Sequence, residues 1–127
     1  MATSTVTVTV GMSPVGRDQV IAVARHDATV VLAADALAAL AATRQRIEAL
    51  AASDKPVYGV STGFGALATR HIPTELRTDL QRSLIRSHAA GSGAEVEREV
   101  VRATMLLRLS TLATGRTGVR PVVAQTY

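Results

Sequence analysis

Between Glu95 and Thr114 the chain sets Val100, Val101, Met105, Leu106, Leu107, Leu109 and Leu112 on several faces of what reads as one long helix. A helix with a single apolar stripe lies on a protein surface, whereas one that is apolar on several sides needs other elements around it. The stretch therefore demands a layered, mainly helical protein. Glu95, Glu97 and Glu99 at its start complement the positive end of a helix macrodipole, and Gly115 stops it.

The other segments supply few elements to surround that helix. Val6, Val8 and Val10 alternate with Thr5, Thr7 and Thr9, the period of a half-buried strand, and Gly11 ends the run. Ser13 as N-cap and Pro14 as first helical residue predict a short helix to Arg25, and Thr29 to Leu32 reads as a second short strand. Leu37, Leu40, Arg44, Ile47 and Leu50 recur at helical spacing until Asp54, Lys55 and Pro56 break the pattern near Ser53. Pro73 and Thr74 open a further helix with Leu76, Leu80, Leu84 and His88 on one face, and Gly91 and Gly93 are its expected C-terminal caps. The expected fold class is mainly α with a small β element near the N-terminus, residues 1–127 having no internal domain boundary. Pro121 begins one more helix, with Val119, Val122 and Val123 as its apolar face, and the chain stops at Tyr127 soon afterwards. This reads as the front portion of a larger protein. The alternative is a complete small helical domain with a frayed tail.

Composition removes several function classes. Apolar residues make up 47% of the 127, so a packed core is expected, not a disordered chain. With no cysteine and three scattered His, neither disulfides nor a metal site is expected. The net charge of +4 raises the possibility of a nucleic-acid partner, but Arg77, Arg82, Arg98 and Arg102 lie among Glu75, Asp79, Glu95 and Glu99 at the spacing of a solvated helical face. Two Tyr and one Phe also leave few rings for base stacking, so no nucleic acid is expected. The start MATSTVTVTVGM lacks the charge and apolar run of a secretory signal, and Ala28 to Ala42 is too short to span a bilayer. No membrane partner and a cytoplasmic location are expected.

The most informative loop is YGVSTGFG, Tyr58 to Gly65. Glycine takes positive φ at no steric cost and lets other groups approach the main chain, so this cluster reads as an ordered loop that carries a site. Gly63, Gly65 and Ala68 match a form of the dinucleotide fingerprint, but no full strand precedes them, Pro73 intervenes before the next helix and no second strand follows, so no nucleotide is expected. Ser92 lacks the setting of a nucleophile elbow and reads as a capping residue. Tyr58 is either a half-buried ring with a hydrogen-bonded hydroxyl or a general base, and the second role requires donors that favour phenolate over its usual pKa near 10. His88, near a helix end, is either structural or directed into a pocket.

VYGVSTGFG, LQRSLIRSHAAGSG at Leu80 to Gly93 and TGRTGVRP at Thr114 to Pro121 together resemble the start of the aromatic amino acid ammonia-lyase family, on its histidine-acting bacterial branch. The three motifs occur in the same order, and the resemblance runs across essentially the whole chain. It implies the N-terminal part of the helical fumarase/aspartase-like fold and a homotetramer when complete. It also implies a methylidene-imidazolone electrophile formed autocatalytically from an Ala-Ser-Gly, with no added metal or nucleotide. By the same resemblance Tyr58 is the base for the β-hydrogen or a group assisting elimination, and His88 contacts the substrate, with Ser87, Gly65 and Phe64 beside it. The implied reaction is L-histidine to urocanate and ammonia in histidine degradation. Alternatives are a tyrosine or phenylalanine ammonia-lyase or aminomutase, and a non-catalytic truncated paralogue serving as an assembly module. The chain contains no Ala-Ser-Gly, so it is expected to be inactive alone.

Overall fold

The computed structural model describes residues 6–127; Thr5, the first residue of the expected strand alternation, lies outside them. The chain forms two compact units, one running through Gln45 and resuming over Glu95–Tyr127, the other covering Arg46–Ala94.

In the first unit β1 (Thr7–Val10) pairs in parallel with β2 (Thr29–Leu32), Thr7 opposite Thr29 and Val10 opposite Leu32. Val8 and Val10 are buried while Thr7 and Thr9 face out, as the alternation requires. Parallel neighbours cannot be joined by a tight turn, and the crossover is α1 (Arg17–His26). This helix starts later than its Ser-Pro signal suggests. Gly16 is the N-cap, its N–H donating to Gln19 Oε1 at 2.7 Å, so the glycine that would weaken a helix interior marks the boundary instead. The helix ends at Asp27, whose φ of 53° lies in the left-handed region that Asp tolerates better than most residues.

Helix α2 (Ala34–Ala52) buries Ala36 and Leu40, and α4 (Arg98–Ala113) buries Leu106, Leu109, Leu112 and Ala113; α3 (Arg77–His88) lies in the second unit. Leu40, Leu106, Leu109 and Ala113 join Val8 and Val10 in one core. Helix α4 packs against α1, β1 and α5 (Pro121–Thr126), which carries Pro at its N-terminus and turns Ala124 inward. The apolar surface of α4 is wider than these neighbours cover, so Val100, Val101, Met105 and Leu107 remain exposed. In α5 the apolar face centres on Ala124, and Val122 stays exposed. After α4 the backbone closes on α2. A Cβ at Gly115 would sit 2.6 Å from Ala39 Cβ, its φ is +69°, and its carbonyl accepts from Thr43 Oγ1.

The arginines of α4 do not form the intrahelical pairs that their spacing suggests. Arg98 Nη2 lies 2.7 Å from Asp27 Oδ1, Arg25 Nε lies 2.7 Å from Glu99 Oε2, and Arg102 Nε donates to the Val23 carbonyl at 2.8 Å. They clasp α4 to α1. The Arg98 hydrogen bond holds the Asp27 carboxyl below its ordinary range, against a desolvation that pushes upward, and the charges of Arg98 and Arg102 reinforce the lowering. Only Arg82 keeps the expected local pair, at 3.4 Å from Asp79 in α3 (Arg77–His88).

The second unit contains the last residues of α2, the glycine loop, and α3, preceded by a 3₁₀ turn at Thr74–Leu76. Pro73 therefore opens the tighter turn, and α3 itself starts at Arg77. Helix α3 is closed by Ala89, whose N–H donates to Ile85 O, and not by Gly91 or Gly93. Its facing residues Leu80 and Leu84 are half-buried, Leu76 and Ile85 exposed. The buried residues of this unit are Ser61, Thr62 and Gly63.

Candidate functional site

The glycine loop is built from its stems inward. Ser53 ends α2 by donating its hydroxyl to Leu50 O, and a turn follows in which the N–H groups of Val60 and Ser61 both reach Val57 O at 3.0 Å. The chain then doubles back: Thr62 bridges His71 in antiparallel fashion and Ile72 N–H donates to Ser61 O at 2.9 Å. Arg77 ties both stems together, its Nη1 donating to Ala51 O and its Nε to Ile72 O. Lengths of loop that bury backbone must satisfy it, and here hydroxyls do so. Ser61 Oγ accepts from Val57 N–H at 2.9 Å, and Thr62 Oγ1 accepts from Gly59 N–H at 3.3 Å.

On this frame Tyr58 is 64% exposed and packs edge-to-face with Phe64, with ring centroids 5.7 Å apart and planes at 82°. Edge-to-face is the arrangement that aromatic quadrupoles favour. Gly59 makes it possible: its φ is +68° and a Cβ there would lie 3.0 Å from Phe64 Cε1. Gly65, by contrast, has φ +54°, and a Cβ there would meet nothing within 4 Å, so it opens the loop toward solvent.

At the end of α3, Ser87 Oγ donates to Leu84 O at 2.9 Å, and His88 Nδ1 lies 2.9 Å from both Leu84 O and Ser87 Oγ. A proton on Nδ1 satisfies the contact with the Leu84 carbonyl, and in that tautomer Nε2 is the acceptor of the neutral imidazole. The structure thus brings Tyr58, Phe64 and Gly65 together on one loop and Ser87 with His88 on one helix end. Among the described residues no hydrogen bond or ring contact joins the two groups. Sequence reasoning missed Ser61, Thr62 and Arg77, although the Ser-Thr pair inside a glycine run was a visible sign of side chains that bond backbone.

A hollow of about 670 Å³ lies in the first unit between β2, α4 and α5 and contains none of these residues. Its charged lining, Asp27 and Arg102, forms an ion pair at 3.5 Å, with Asp27 also bound by Arg98, so the loop and the end of α3 remain the candidate site. No three His, Asp or Glu side chains among the described residues come together as a metal site would require. The exposed Tyr58 ring and the open space at Gly65 are compatible with a reactive group carried by a segment outside this chain.

A mainly helical chain with a parallel strand pair, and a tyrosine on a glycine loop, matches the family model for aromatic amino acid lyases over residues 15–127. The chain belongs to that family. It is 66% identical over 120 residues to a histidine ammonia-lyase of Streptomyces griseus, covering 94% of this chain and 23% of the relative. The structure of a tyrosine aminomutase from Streptomyces globisporus superposes with a TM-score of 0.87 at 34% identity, over 94% of this chain and 23% of that one. A histidine ammonia-lyase from Trypanosoma cruzi gives 0.83 at 30% identity, over 95% and 23%. The chain thus spans about a quarter of the length of the proteins it matches, and the expected helical ammonia-lyase fold is borne out.

Proposed function

We propose that this chain is the N-terminal portion of a histidine ammonia-lyase that converts L-histidine to urocanate and ammonia in the cytoplasm, as a homotetramer. The observation that supports this reading most is the 66% identity with the Streptomyces griseus enzyme, well above the identity with the aminomutase. The methylidene-imidazolone group, formed from an Ala-Ser-Gly beyond these residues, supplies the electrophile that makes the amino group a leaving group.

This chain's own residues do the rest of the work proposed for it. Tyr58, whose hydroxyl takes no hydrogen bond from a described residue, acts as phenolate: its oxygen takes the substrate's β-hydrogen as a proton, the Cβ–H electron pair forms the Cα=Cβ bond, and the Cα–N bond breaks to release the amino group as ammonia. His88 Nε2, the free acceptor of its ring, takes a hydrogen bond from the imidazole N–H of L-histidine, while Ser87 and Leu84 O hold the ring's other side. Phe64 packs edge-to-face with Tyr58, and Gly65 leaves room for substrate beside it.

The test is to supply the full-length enzyme with L-histidine, L-tyrosine and L-phenylalanine and to identify the products. Urocanate and ammonia from L-histidine are expected, and a β-amino acid as the main product would replace this reading with an aminomutase. In the same enzyme Tyr58→Phe should lower kcat by about 100-fold or more with the fold intact, because only one hydroxyl is removed. Near-normal urocanate production by that variant would remove Tyr58 from the chemistry.

A further inference from the structure

The Tyr58 side chain is exposed and makes no hydrogen bond to a described residue, so its direction is set by its own backbone and by the edge-to-face contact with Phe64. The peptide groups on both sides of it are held by two hydroxyls. Val57 N–H donates to Ser61 Oγ at 2.9 Å, and that hydroxyl donates onward to Lys55 O at 3.3 Å. Gly59 N–H donates to Thr62 Oγ1 at 3.3 Å, whose own proton reaches Gly63 O at 3.1 Å. Both hydroxyls are buried, Ser61 completely and Thr62 to all but 3% of its surface. A surface turn that only had to reverse the chain could leave these amides to water. Taking hydroxyls out of water is costly unless their hydrogen bonds are made, and here both are made to the two residues adjacent to Tyr58 and to the turn around it.

We propose that Ser61 and Thr62 are positioning residues for Tyr58, clamping the peptide on either side so that the phenol is held in one direction. The inference rests on the reading of Tyr58 as the reacting phenol. Neither hydroxyl touches substrate; each acts through backbone. The Gly59 link also governs Phe64, because the residue whose N–H meets Thr62 is the one that lacks a Cβ, which would lie 3.0 Å from Phe64 Cε1.

The experiment uses the full-length enzyme with Thr62→Val, Ser61→Ala and Thr62→Ser, read by steady-state kinetics and by amide hydrogen exchange. A displacement of the order of 1 Å at a reacting group can cost about 100-fold, so Thr62→Val and Ser61→Ala should lower kcat by about 10- to 100-fold. The loss should fall in kcat, with KM for L-histidine changed by less than about threefold. Exchange should speed up at Gly59 in Thr62→Val and at Val57 in Ser61→Ala, while the amides of α4 keep their protection. Thr62→Ser, which keeps the oxygen, should restore both readouts. If Thr62→Val does not fold, Ser61→Ala carries the same comparison at Val57. Faster exchange at Gly59 with kcat unchanged would overturn the proposal, as would unchanged exchange, a loss confined to KM, or a failure of Thr62→Ser to restore. An enzyme that forms no urocanate would sink the functional reading alone, since exchange still reports the clamp and whichever aromatic amino acid is turned over supplies the kinetics.

Discussion

The interiors of the two units are made of different materials. Every buried apolar side chain among the described residues belongs to the first unit, whereas the second buries Ser61, Thr62 and Gly63. In the first, Leu40, Leu106 and Leu109 exclude water by packing, and the arginine clasp between α1 and α4 lies outside that core. In the second, side-chain oxygens and a bridging arginine close the loop on itself. Apolar packing is non-directional and sets volume, while hydrogen bonds are directional and set angles. The unit that carries the candidate site is thus the one whose order depends on direction.

The contrast can be broken first at Leu40, which is fully buried. Leu40→Ala should cost about 2–5 kcal/mol, measured by denaturant unfolding, and should speed exchange at the core amides of the first unit. If Ser61→Ala unfolded that core equally, the two interiors would not be distinct. The next largest effect separates two glycines of positive φ. Gly115→Ala should cost about 2–4 kcal/mol, because strain in the left-handed region adds to a collision with Ala39, whereas Gly65→Ala should cost only about 1–2 kcal/mol, since its methyl meets nothing. Equal losses in the two unfolding midpoints would mean that conformation alone, and not the close approach of α2, demands glycine at 115.

The smallest effect concerns the clasp. The Asp27 carboxyl is held below the ordinary value of about 3.9, so the stability it contributes is present above that pH and is lost as pH falls through its lowered folded-state value. Asn tolerates the same left-handed backbone, so Asp27→Asn removes the charge without straining the turn. The variant should unfold at lower denaturant than the wild type at pH 7, and the gap should close under strong acid. A gap that persisted there would assign the effect to the turn and not to the ion pairs.

Much of the architecture was legible because it follows from local rules. Period-2 alternation at Val8 and Val10, the span Thr29–Leu32, the break after Ala52 and the Pro-led start of α5 all stand where the pattern puts them. The misreadings occur where a local signal had a stronger competitor. Ser13-Pro14 lost to Gly16 with Gln19, and the glycines after α3 lost to Ala89. The motifs of the site were equally visible, since glycine runs and the tyrosine among them are sequence-level facts, but the hydroxyl clamp was not.

By itself the sequence determined the mainly helical class, the positions of most elements, the loop that holds Tyr58, Phe64 and Gly65, and membership of the aromatic amino acid lyases. These depend on periodicity, backbone freedom and motif order, which are properties of neighbours along the chain. Only the tertiary structure decided that Arg98 and Arg102 serve Asp27 and Val23 instead of their own helix, and that Gly115 is pressed against Ala39. Those partners lie about seventy or more residues apart in the chain, and which of several available oppositely charged or apposed groups is met depends on how the elements pack, which spacing alone does not encode.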